Sequence, residues 1–413
     1  MPATFFAVDH SLNKNLLLLW LILNLQSLVT MSIMLSKKVA NIPPFYVMEV
    51  LERAQQLEEK GRSIIHLEIG EPDFPTAPHI CDAAATAMCA GNTKYTHSQG
   101  LIELRQAIAK KYKDRFNVDI TPEQIIVTSG TSPAMLLLFI ALINPEDEII
   151  MSNPHYACYP NFVTSTGGVP DYIYTNQDNG FMLQPKEVAA HINPKTKAIL
   201  INSPSNPTGQ VLSDSILRGI VEVAGEIPII SDEIYQGLVY EGDDHTILEY
   251  TENAFVLNGF SKLYAMTGWR LGYLITPKEH IRTLQKIQQN LFISTNAFVQ
   301  YAGIAALEGP QEHVKEMVET YNKRRLYLIK RLKEMGFEIK TEPKGAYYVL
   351  ADARKFGEDS LEMSRQILEN IGVAITPGID FGIGAEGHLR FSYANSLDNI
   401  KEGMKRLEKY LSE

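Results

Sequence analysis

Cysteine is scarce in this chain of 413 residues, which has only Cys81, Cys89 and Cys158. Their number is odd and their spacing does not match that of metal ligands, so the sequence predicts neither a disulfide framework nor a metal site. Thiols used so sparingly indicate a reducing, cytoplasmic setting, and we expect the three side chains to fill the core.

Basic residues are fewer than acidic ones, since the chain has 38 Lys and Arg and 48 Asp and Glu, which gives a net charge of −10. No global basic field would therefore attract nucleic acid. Hydrophobic residues at 45% and charged residues at 21% are ordinary globular values, which argues against disorder and against a polytopic membrane protein. A soluble enzyme or binder remains, with room for a buried active site.

Long apolar runs are limited to residues 16–35, where polar residues such as Asn24 and Gln26 interrupt the run. The segment is long enough to span a bilayer, but it lacks the positive n-region and the cleavage site of a secretory signal. We expect that translation begins at Met31 or Met34, so that the first 30 or so residues of an apolar extension at 1–35 are not part of the natural protein. A membrane anchor is the alternative.

Short apolar runs alternate with helical stretches beyond residue 79. Such βα alternation predicts a mostly parallel, helix-covered sheet. The runs lie at residues 125–129, 148–152, 198–202, 228–231, 254–258 and 271–275.

The two ends of the chain suggest a second lobe. A helix is predicted over residues 46–60 and a strand over 63–69; after a helical region at 278–335, three more strands are expected, followed by a terminal helix. These strands lie at 345–350, 372–375 and 388–393. We therefore expect an N-terminal arm with part of a small α+β domain at 36–75, a large domain at 76–310 and the rest of the small domain at 311–413.

Lys262 lies among small and apolar residues in NGFSKLYAMTGWRLGYLI, residues 258–275, directly after a predicted strand. In a partly desolvated pocket the pKa of a lysine falls, so that its neutral amine can attack a carbonyl and form a Schiff base. Arg270 could then clamp a phosphate. A surface lysine and a helix-capping arginine would fit this segment equally well.

Polar residues follow two other predicted strands. Asp232 ends the buried run PIIS, and a buried carboxylate needs a partner, such as the ring nitrogen of pyridoxal phosphate, which an acid keeps protonated. Tyr235 and Asn206 could both hydrogen-bond the phenolic oxygen of that cofactor. Asn206, in NSPSNPTG, could instead form a plain Asx-turn. Polar groups at the same ends of neighbouring strands favour a shared site.

The segment IIVTSGTSPAMLLLFIALI, residues 125–143, predicts a strand, a tight turn and a helix with Ser132 as its N-cap. The free N–H groups of Gly130, Thr131 and Ser132 would form an anion cradle for a phosphate.

Arg390 lies inside the predicted strand 388–393, where an inward-facing arginine needs a counter-anion. A substrate α-carboxylate or an Asp or Glu of the chain would serve. Just before it, GIGAEG at 382–387 has the spacing of a dinucleotide-binding fingerprint. A strand follows it instead of a helix, so we interpret it as a loop.

From about residue 38 onward, the chain resembles the class I/II aminotransferases, which are fold-type-I pyridoxal-phosphate enzymes, and within them the aspartate-aminotransferase-like subgroup. The family pattern S-K-x-(F/Y)-A-M-T-G-W-R-x-G-Y is matched from Ser261 to Tyr273. This resemblance implies an α/β large domain with a seven-stranded sheet, a smaller α+β domain, and pyridoxal 5'-phosphate as the cofactor.

The resemblance also implies roles for single residues. Lys262 would be the Schiff-base lysine and proton shuttle, Asp232 would face the pyridine nitrogen, and Tyr235 and Asn206 the phenolic oxygen. The cofactor phosphate would be held by Ser261, Arg270 and the cradle at 130–132. In LEIGEPDFP and GHLRFSYA, the glycine Gly70 and the arginine Arg390 would bind the substrate carboxylate.

Three further positions bear on assembly and specificity. Tyr95 matches a tyrosine that family members lend to the cofactor phosphate of the neighbouring subunit, which implies a homodimer. Tyr156 lies where many relatives stack an aromatic residue on the cofactor ring. Ser132 lies where an aspartate-specific subgroup has a lysine, so the preferred amino acid stays open.

These observations together predict a pyridoxal-phosphate-dependent aminotransferase that moves an amino group between an α-amino acid and a 2-oxo acid by a ping-pong mechanism. A C–S β-lyase that uses the same cofactor is the nearest alternative, because Lys262 and Asp232 would serve either outcome. A non-catalytic cofactor-binding regulator is the alternative from another class.

Overall fold

The computed structural model describes Ser36 and residues 42–412. The predictions for residues 1–35 lie outside the described residues. Residues 43–413 form one compact unit. Among the helices of the described residues, none has both the length and the apolar character needed to cross a bilayer.

Twelve strands and twelve helices follow one another along the described residues. The strands are β1 (Ile65–His66), β2 (Ile125–Thr128), β3 (Glu148–Asn153), β4 (Val169–Tyr174), β5 (Thr196–Asn202), β6 (Ile229–Asp232), β7 (Ala254–Gly259), β8 (Gly272–Ile275), β9 (Tyr348–Asp352), β10 (Val373–Ala374), β11 (Thr376–Pro377) and β12 (His388–Ser392). The helices are α1 (Tyr46–Glu59), α2 (Pro78–Cys89), α3 (Ile102–Phe116), α4 (Thr131–Leu142), α5 (Tyr159–Thr166), α6 (Pro185–His191), α7 (Asp214–Ala224), α8 (Ile281–Leu291), α9 (Ala297–Glu308), α10 (Glu312–Met335), α11 (Ser360–Ile371) and α12 (Leu397–Ser412).

A seven-stranded sheet forms the centre of the molecule, in the order β2-β8-β7-β6-β5-β3-β4. Neighbouring strands are parallel except at β8, which runs antiparallel to both β2 and β7. Alternate residues of β2 pack into different cores, Ile125 and Val127 into one and Ile126 into the other. Both faces of the sheet are therefore covered, which explains why its strands read as continuous apolar runs and confirms the predicted fold class.

Strand β4 is missing from the sequence-based prediction. Its residues VPDYIY include a proline and an aspartate, so they do not form an apolar run. The strand lies at the edge of the sheet, where it pairs only with β3. An edge strand tolerates Pro170 because one of its sides needs no ladder hydrogen bonds.

Two smaller sheets are built from the ends of the chain. Strands β11, β12 and β9 form an antiparallel sheet, and β1 pairs in parallel with β10. The strand predicted at 63–69 is shorter than expected, since only Ile65–His66 are in ladder pairing. Leu67 still donates to Ala374 and accepts from Ser392 through its backbone, and the chain then turns away. The proposed boundaries near residues 75 and 310 stay a prediction.

The expectation that the cysteines fill the core is wrong for two of them. Cys81 and Cys89 are exposed, and Cys158 is half-buried. Helix α2 instead buries Ile80, Ala84 and Ala87. Helical spacing places these residues on the inner face and leaves both thiols on the outer one.

Candidate active site

A cavity of about 290 Å³ lies beyond the carboxyl ends of the central strands. Asn202 ends β5, Asp232 ends β6, and Ser261 and Lys262 follow β7, so the parallel order of these strands brings their polar ends together. Most of the predicted site residues line this cavity. They are Gly70, Thr131, Ser132, Tyr156, Asn206, Asp232, Tyr235, Ser261, Lys262, Arg270 and Arg390.

Lys262 points its amine into the cavity. Nζ donates a hydrogen bond to the carbonyl oxygen of Gly70 at 2.7 Å and lies 5.9 Å from the ring centre of Tyr235. Desolvation lowers the pKa of this lysine to about 8. A substantial fraction of the amine is therefore neutral, and nucleophilic, at a pH only slightly above neutrality.

Asp232 is a buried carboxylate with hydrogen-bond donors on both oxygens. Oδ2 accepts from the hydroxyl of Tyr159 at 2.7 Å, and Oδ1 accepts from the backbone N–H of Ile234 at 3.1 Å. Burial nevertheless raises the pKa of Asp232 to about 6. Such a carboxylate at a cavity wall would be stabilised by a cationic N–H donor, which is what a protonated pyridine ring presents.

Tyr235 is held by other tyrosines. Its hydroxyl lies 2.8 Å from the hydroxyl of Tyr348. The Tyr348 hydroxyl in turn approaches Gly70 so closely that a Cβ added at Gly70 would lie 1.8 Å from it. Tyr347 donates to the Gly70 carbonyl oxygen at 2.8 Å. The site therefore requires a residue without a side chain at position 70.

Arg390 is almost fully buried, at 3% exposure. Nη1 donates to Asn206 Oδ1 at 2.8 Å, and Nη2 donates to the Glu68 carbonyl oxygen at 2.5 Å and to Thr376 Oγ1 at 3.1 Å. All three acceptors are uncharged, and Nε has no partner. Arg390 forms no ion pair within 4 Å among the described residues, although the buried carboxylate of Asp380 is near enough to interact with it electrostatically. The free Nε retains capacity for an anionic ligand.

A glycine turn leads into α4 at the place where the sequence predicts an anion cradle. Gly130 has a φ of +96° and precedes the helix that begins at Thr131, so the prediction of Ser132 as the N-cap is wrong by two residues. The glycine conformation takes the chain into the helix earlier than the pattern indicated. The guanidinium of Arg270 lies beside this turn, where a Cβ on Gly130 would be 2.6 Å from Nη2. Arg270 itself has a left-handed φ of +55°, a strained conformation typical of functional sites.

Two aromatic residues differ in how they relate to the cavity. Tyr156 lines it and makes edge contacts with Phe45 and Tyr159, at centroid distances of 6.2 and 5.3 Å. Tyr95 does not line it and is 81% exposed. The role of Tyr95 toward a second subunit stays a prediction.

Some residues of the site were not predicted from the sequence. Tyr159 and Tyr348 contact Asp232 and Tyr235, and Phe45 reaches the cavity from the start of α1. For Tyr348, the signal lies in the strand register, which the tertiary structure sets and the local sequence pattern does not contain. Arg390 pairs with Leu350, two residues from Tyr348 on the same face of β9, which brings the tyrosine ring within 4.2 Å of the guanidinium.

The donor set fits pyridoxal 5'-phosphate. A buried carboxylate is available for the ring nitrogen, a lysine of lowered pKa for the aldehyde, and a helix N-terminus with an arginine for the phosphate. Gly130 supports the fit because its φ of +96° is one that residues with a side chain rarely adopt, and because it lets the Arg270 guanidinium approach the turn closely.

Known proteins support this interpretation. Residues 62–407 match the family described as aminotransferase class I and II. The chain is 44% identical to a (5-formylfuran-3-yl)methyl phosphate transaminase of Methanocaldococcus jannaschii, with 92% of this chain and 100% of that protein covered. It is 37% identical to an aspartate aminotransferase of Bacillus subtilis, with 91% and 98% covered.

Solved structures agree with the sequence relatives. Aspartate aminotransferase of Thermus thermophilus with maleate superimposes with a TM-score of 0.87 at 36% identity, over 91% of this chain and 99% of that one. A Methanococcus jannaschii protein whose active site is described as similar to kynurenine aminotransferases superimposes with a TM-score of 0.84 at 42% identity, over 92% and 100%. The chain therefore belongs to the class I and II aminotransferases and is a pyridoxal-phosphate-dependent enzyme that transfers amino groups.

Proposed function

We propose that Lys262 holds the cofactor covalently and moves the proton during amino transfer, and that Asp232 faces the cofactor's ring nitrogen. Bound pyridoxal phosphate supplies an electron sink for the bond broken at the substrate α-carbon. The observation that carries the proposal is the convergence of an amine of lowered pKa, a buried carboxylate and an arginine whose hydrogen-bond acceptors are all uncharged in one cavity. Once displaced by the substrate amine, Lys262 Nζ would be free to take the proton from the substrate α-carbon and to deliver it to the C4′ carbon of the cofactor.

Asn206 and Tyr235 are proposed to hydrogen-bond the phenolic oxygen of the cofactor. The side-chain oxygen of Asn206 accepts from Arg390, so its amide N–H groups remain as donors toward the cavity. The hydroxyls of Tyr235 and Tyr348 share one hydrogen bond. When Tyr348 is the donor in that bond, the Tyr235 hydroxyl is free to donate to the cofactor. These contacts would orient the ring without adding charge.

The cofactor phosphate is assigned to the backbone and hydroxyl groups of Gly130, Thr131 and Ser132, together with Ser261 and Arg270. A helix N-terminus favours anions through its free N–H groups and its dipole. At the opposite side of the site, Arg390, Gly70 and Asn206 would hold the substrate carboxylate, with Arg390 providing charge-assisted hydrogen bonds. Holding that group fixes which bond at the α-carbon stands perpendicular to the cofactor ring.

Replacement of the lysine tests these assignments. In Lys262→Ala, the absorbance of the covalently held cofactor and nearly all amino transfer should be lost. Lys330→Ala on α10, which removes an amine exposed on the surface, is the matched control and should behave like the wild type. Full activity in Lys262→Ala would refute the assignment. Continuous release of pyruvate and ammonia by the wild type would indicate the β-lyase.

We further propose a homodimer in which Tyr95 completes the partner's phosphate site, acting in a ping-pong cycle in the cytoplasm. Its exposure of 81% supports this, since a large aromatic side chain is usually covered. Coexpression of Lys262→Ala with Tyr95→Phe tests the sharing. The mixed dimer has one site with both native residues, so activity should exceed that of either variant alone. Activity no higher than the average of the two would contradict a shared site.

A further inference from the structure

Two turns carry the residues proposed to bind the cofactor ring. Asp232 ends β6 and Tyr235 follows it, while Lys262 follows β7. The two strands pair in parallel, and Asp232 opposite Leu257 is the last pair of their ladder. The register therefore fixes the strands, and contacts between the two turns must fix the distance from Asp232 to Lys262.

Glu233 is a buried carboxylate, 1% exposed, that does not line the cavity. Its Oε1 accepts from the hydroxyls of Ser231 and Thr246 and from the backbone N–H of Ile247, each at 3.0 Å. Its Oε2 accepts from the side-chain amide of Gln236 at 2.9 Å. Four donors match the acceptor capacity of one carboxylate, which has no hydrogen to give in return.

Gln236 extends this hydrogen bonding to Asn258. A side-chain amide has one donor end and one acceptor end, so a carboxylate at its NH2 group leaves its oxygen for the next partner. Oε1 of Gln236 accepts from Nδ2 of Asn258 at 3.1 Å, and Oδ1 of Asn258 accepts from the backbone N–H of Gly259 at 2.7 Å. Both amides are buried, at 1% and 2% exposure. We call Glu233, Gln236 and Asn258 the buried relay.

We propose that Glu233 is a positioning residue: through the buried relay, it holds the turn of Asp232 and the turn of Lys262 at the spacing that the cofactor needs. The inference rests on the proposed function, in which Lys262 binds the cofactor covalently and Asp232 faces its ring nitrogen. Since both residues contact one rigid ring, a small change in this spacing would strain the covalent bond. Reversal of either amide would place two donors or two acceptors against each other in the core, which is costly.

Glu233→Gln tests the orientation of the relay. In either orientation of the new amide, its N–H groups face at least one donor of the wild-type set. The purified apoenzyme is titrated with pyridoxal 5'-phosphate and, separately, with pyridoxamine 5'-phosphate, which cannot form a Schiff base with a lysine. Glu233→Gln should weaken binding of the first about tenfold and of the second less than about threefold, because only the first needs Lys262 at the correct distance. No loss, or an equal loss for both compounds, would overturn the positioning role.

The pH of the titration is chosen from the two buried groups. Burial raises the pKa of Glu233 to about 8, and desolvation lowers the pKa of Lys262 to about 8. At pH 9, most of the Glu233 side chain is ionised and most of the Lys262 amine is neutral. The wild type is then compared with its variants in the state that the relay requires.

Exchange of the two side chains is the sharper test. In Glu233→Gln/Gln236→Glu, the amide at position 233 donates to the carboxylate at position 236, whose other oxygen accepts from Asn258 as before. Every donor again has an acceptor, so affinity for pyridoxal phosphate should return to within about threefold of the wild type. Gln236→Glu alone brings two carboxylates together and should bind more weakly than the double variant. A double variant that binds no better than Glu233→Gln, or that does not fold, would overturn the proposal.

Asp352→Asn is the matched control. Asp352 is another buried carboxylate, at 6% exposure, which accepts from Gln177 and Arg354, and none of these three residues lines the cavity. Its replacement should lower the free energy of unfolding without changing either dissociation constant. An equal loss of affinity for pyridoxal phosphate in Asp352→Asn and Glu233→Gln would contradict a specific role of the relay.

Lys262→Ala separates this inference from the proposed function. The wild type should bind pyridoxal phosphate more tightly than Lys262→Ala does, because only the wild type forms the covalent bond. Equal affinity in these two proteins would overturn the proposed function, and the inference with it. A normal difference between them, together with an unaltered Glu233→Gln, would overturn the inference alone.

Discussion

The amine of Lys262 donates a hydrogen bond to the carbonyl oxygen of Gly70 at 2.7 Å, which joins the residue proposed to carry the cofactor to the residue proposed to contact the substrate. Tyr347 donates to the same oxygen. The lysine is thus held toward the substrate side of the cavity, where a free amine would have to be in order to move a proton at the α-carbon.

The pH dependence of cofactor uptake follows from this environment. Desolvation lowers the pKa of Lys262 from an ordinary 10.5 to about 8. At pH 7, about one amine in ten is then neutral and able to react. The rate at which the apoenzyme takes up pyridoxal phosphate, followed by absorbance, should rise with pH and level off above about pH 8. A rate that keeps rising toward pH 10.5 would contradict the shift.

Removal of the Tyr159 hydroxyl should raise the pKa of Asp232, so that less of this carboxyl is ionised at a given pH. That hydroxyl donates to Oδ2, and the hydrogen bond lowers the pKa of the carboxyl, which burial raises. In Tyr159→Phe, the pKa of Asp232 should rise further, so activity near pH 6 should fall about tenfold and recover in part at higher pH. Tyr172→Phe on β4 is the matched control. A loss of activity that is the same at every pH would point to packing alone.

Asp232 should also reduce the stability of the apoenzyme. Its folded-state pKa of about 6 lies above the ordinary 3.8, so burial favours the protonated carboxyl over the charged one. The stability that goes with the protonated form is full below about pH 4 and is lost as the pH rises through 6. Asp232→Asn should therefore raise the free energy of unfolding of the apoenzyme at pH 7.5, by about 1–3 kcal/mol, while abolishing activity. Urea denaturation at pH 7.5 and pH 4 measures this. A variant less stable than the wild type at pH 7.5 would contradict the prediction.

Arg390→Ala should impair only substrates that carry an α-carboxylate. We expect kcat/KM for an amino acid to fall about 100- to 1000-fold, the loss typical of a buried charge-assisted pair. The corresponding primary amine, which lacks the carboxylate, should react with wild type and variant at similar low rates. Steady-state kinetics with both substrates separates the two cases. An equal loss with the amine would mean that Arg390 supports the fold and not the carboxylate.

Much of the central sheet and the site could be predicted from the sequence, because local pattern determines both. Runs such as AILIN and PIIS are apolar as a result of burial on both faces, and the polar residues Asn206 and Asp232 lie at or beyond their ends. Parallel order then brings them together without further information.

The rest depends on contacts that local pattern does not contain. Strand β4 was missed because Pro170 interrupts the apolar pattern that a strand usually shows. Tyr159 reaches the site through the packing of α5, and Tyr348 reaches it through the register of β9 with β12. The start of α1 is far in sequence from Asp380, which holds it. Such relationships are set by tertiary structure, which overrides local propensity.

The half-reaction tests the central claim most directly. The purified holoenzyme is mixed with one amino acid, without an acceptor, while the cofactor spectrum is recorded and the products are quantified. We expect the cofactor to change to its aminated form with stoichiometric release of a 2-oxo acid. An added second oxo acid should restore the starting spectrum, and Lys262→Ala should show neither change. A spectrum that no amino acid changes would contradict the account.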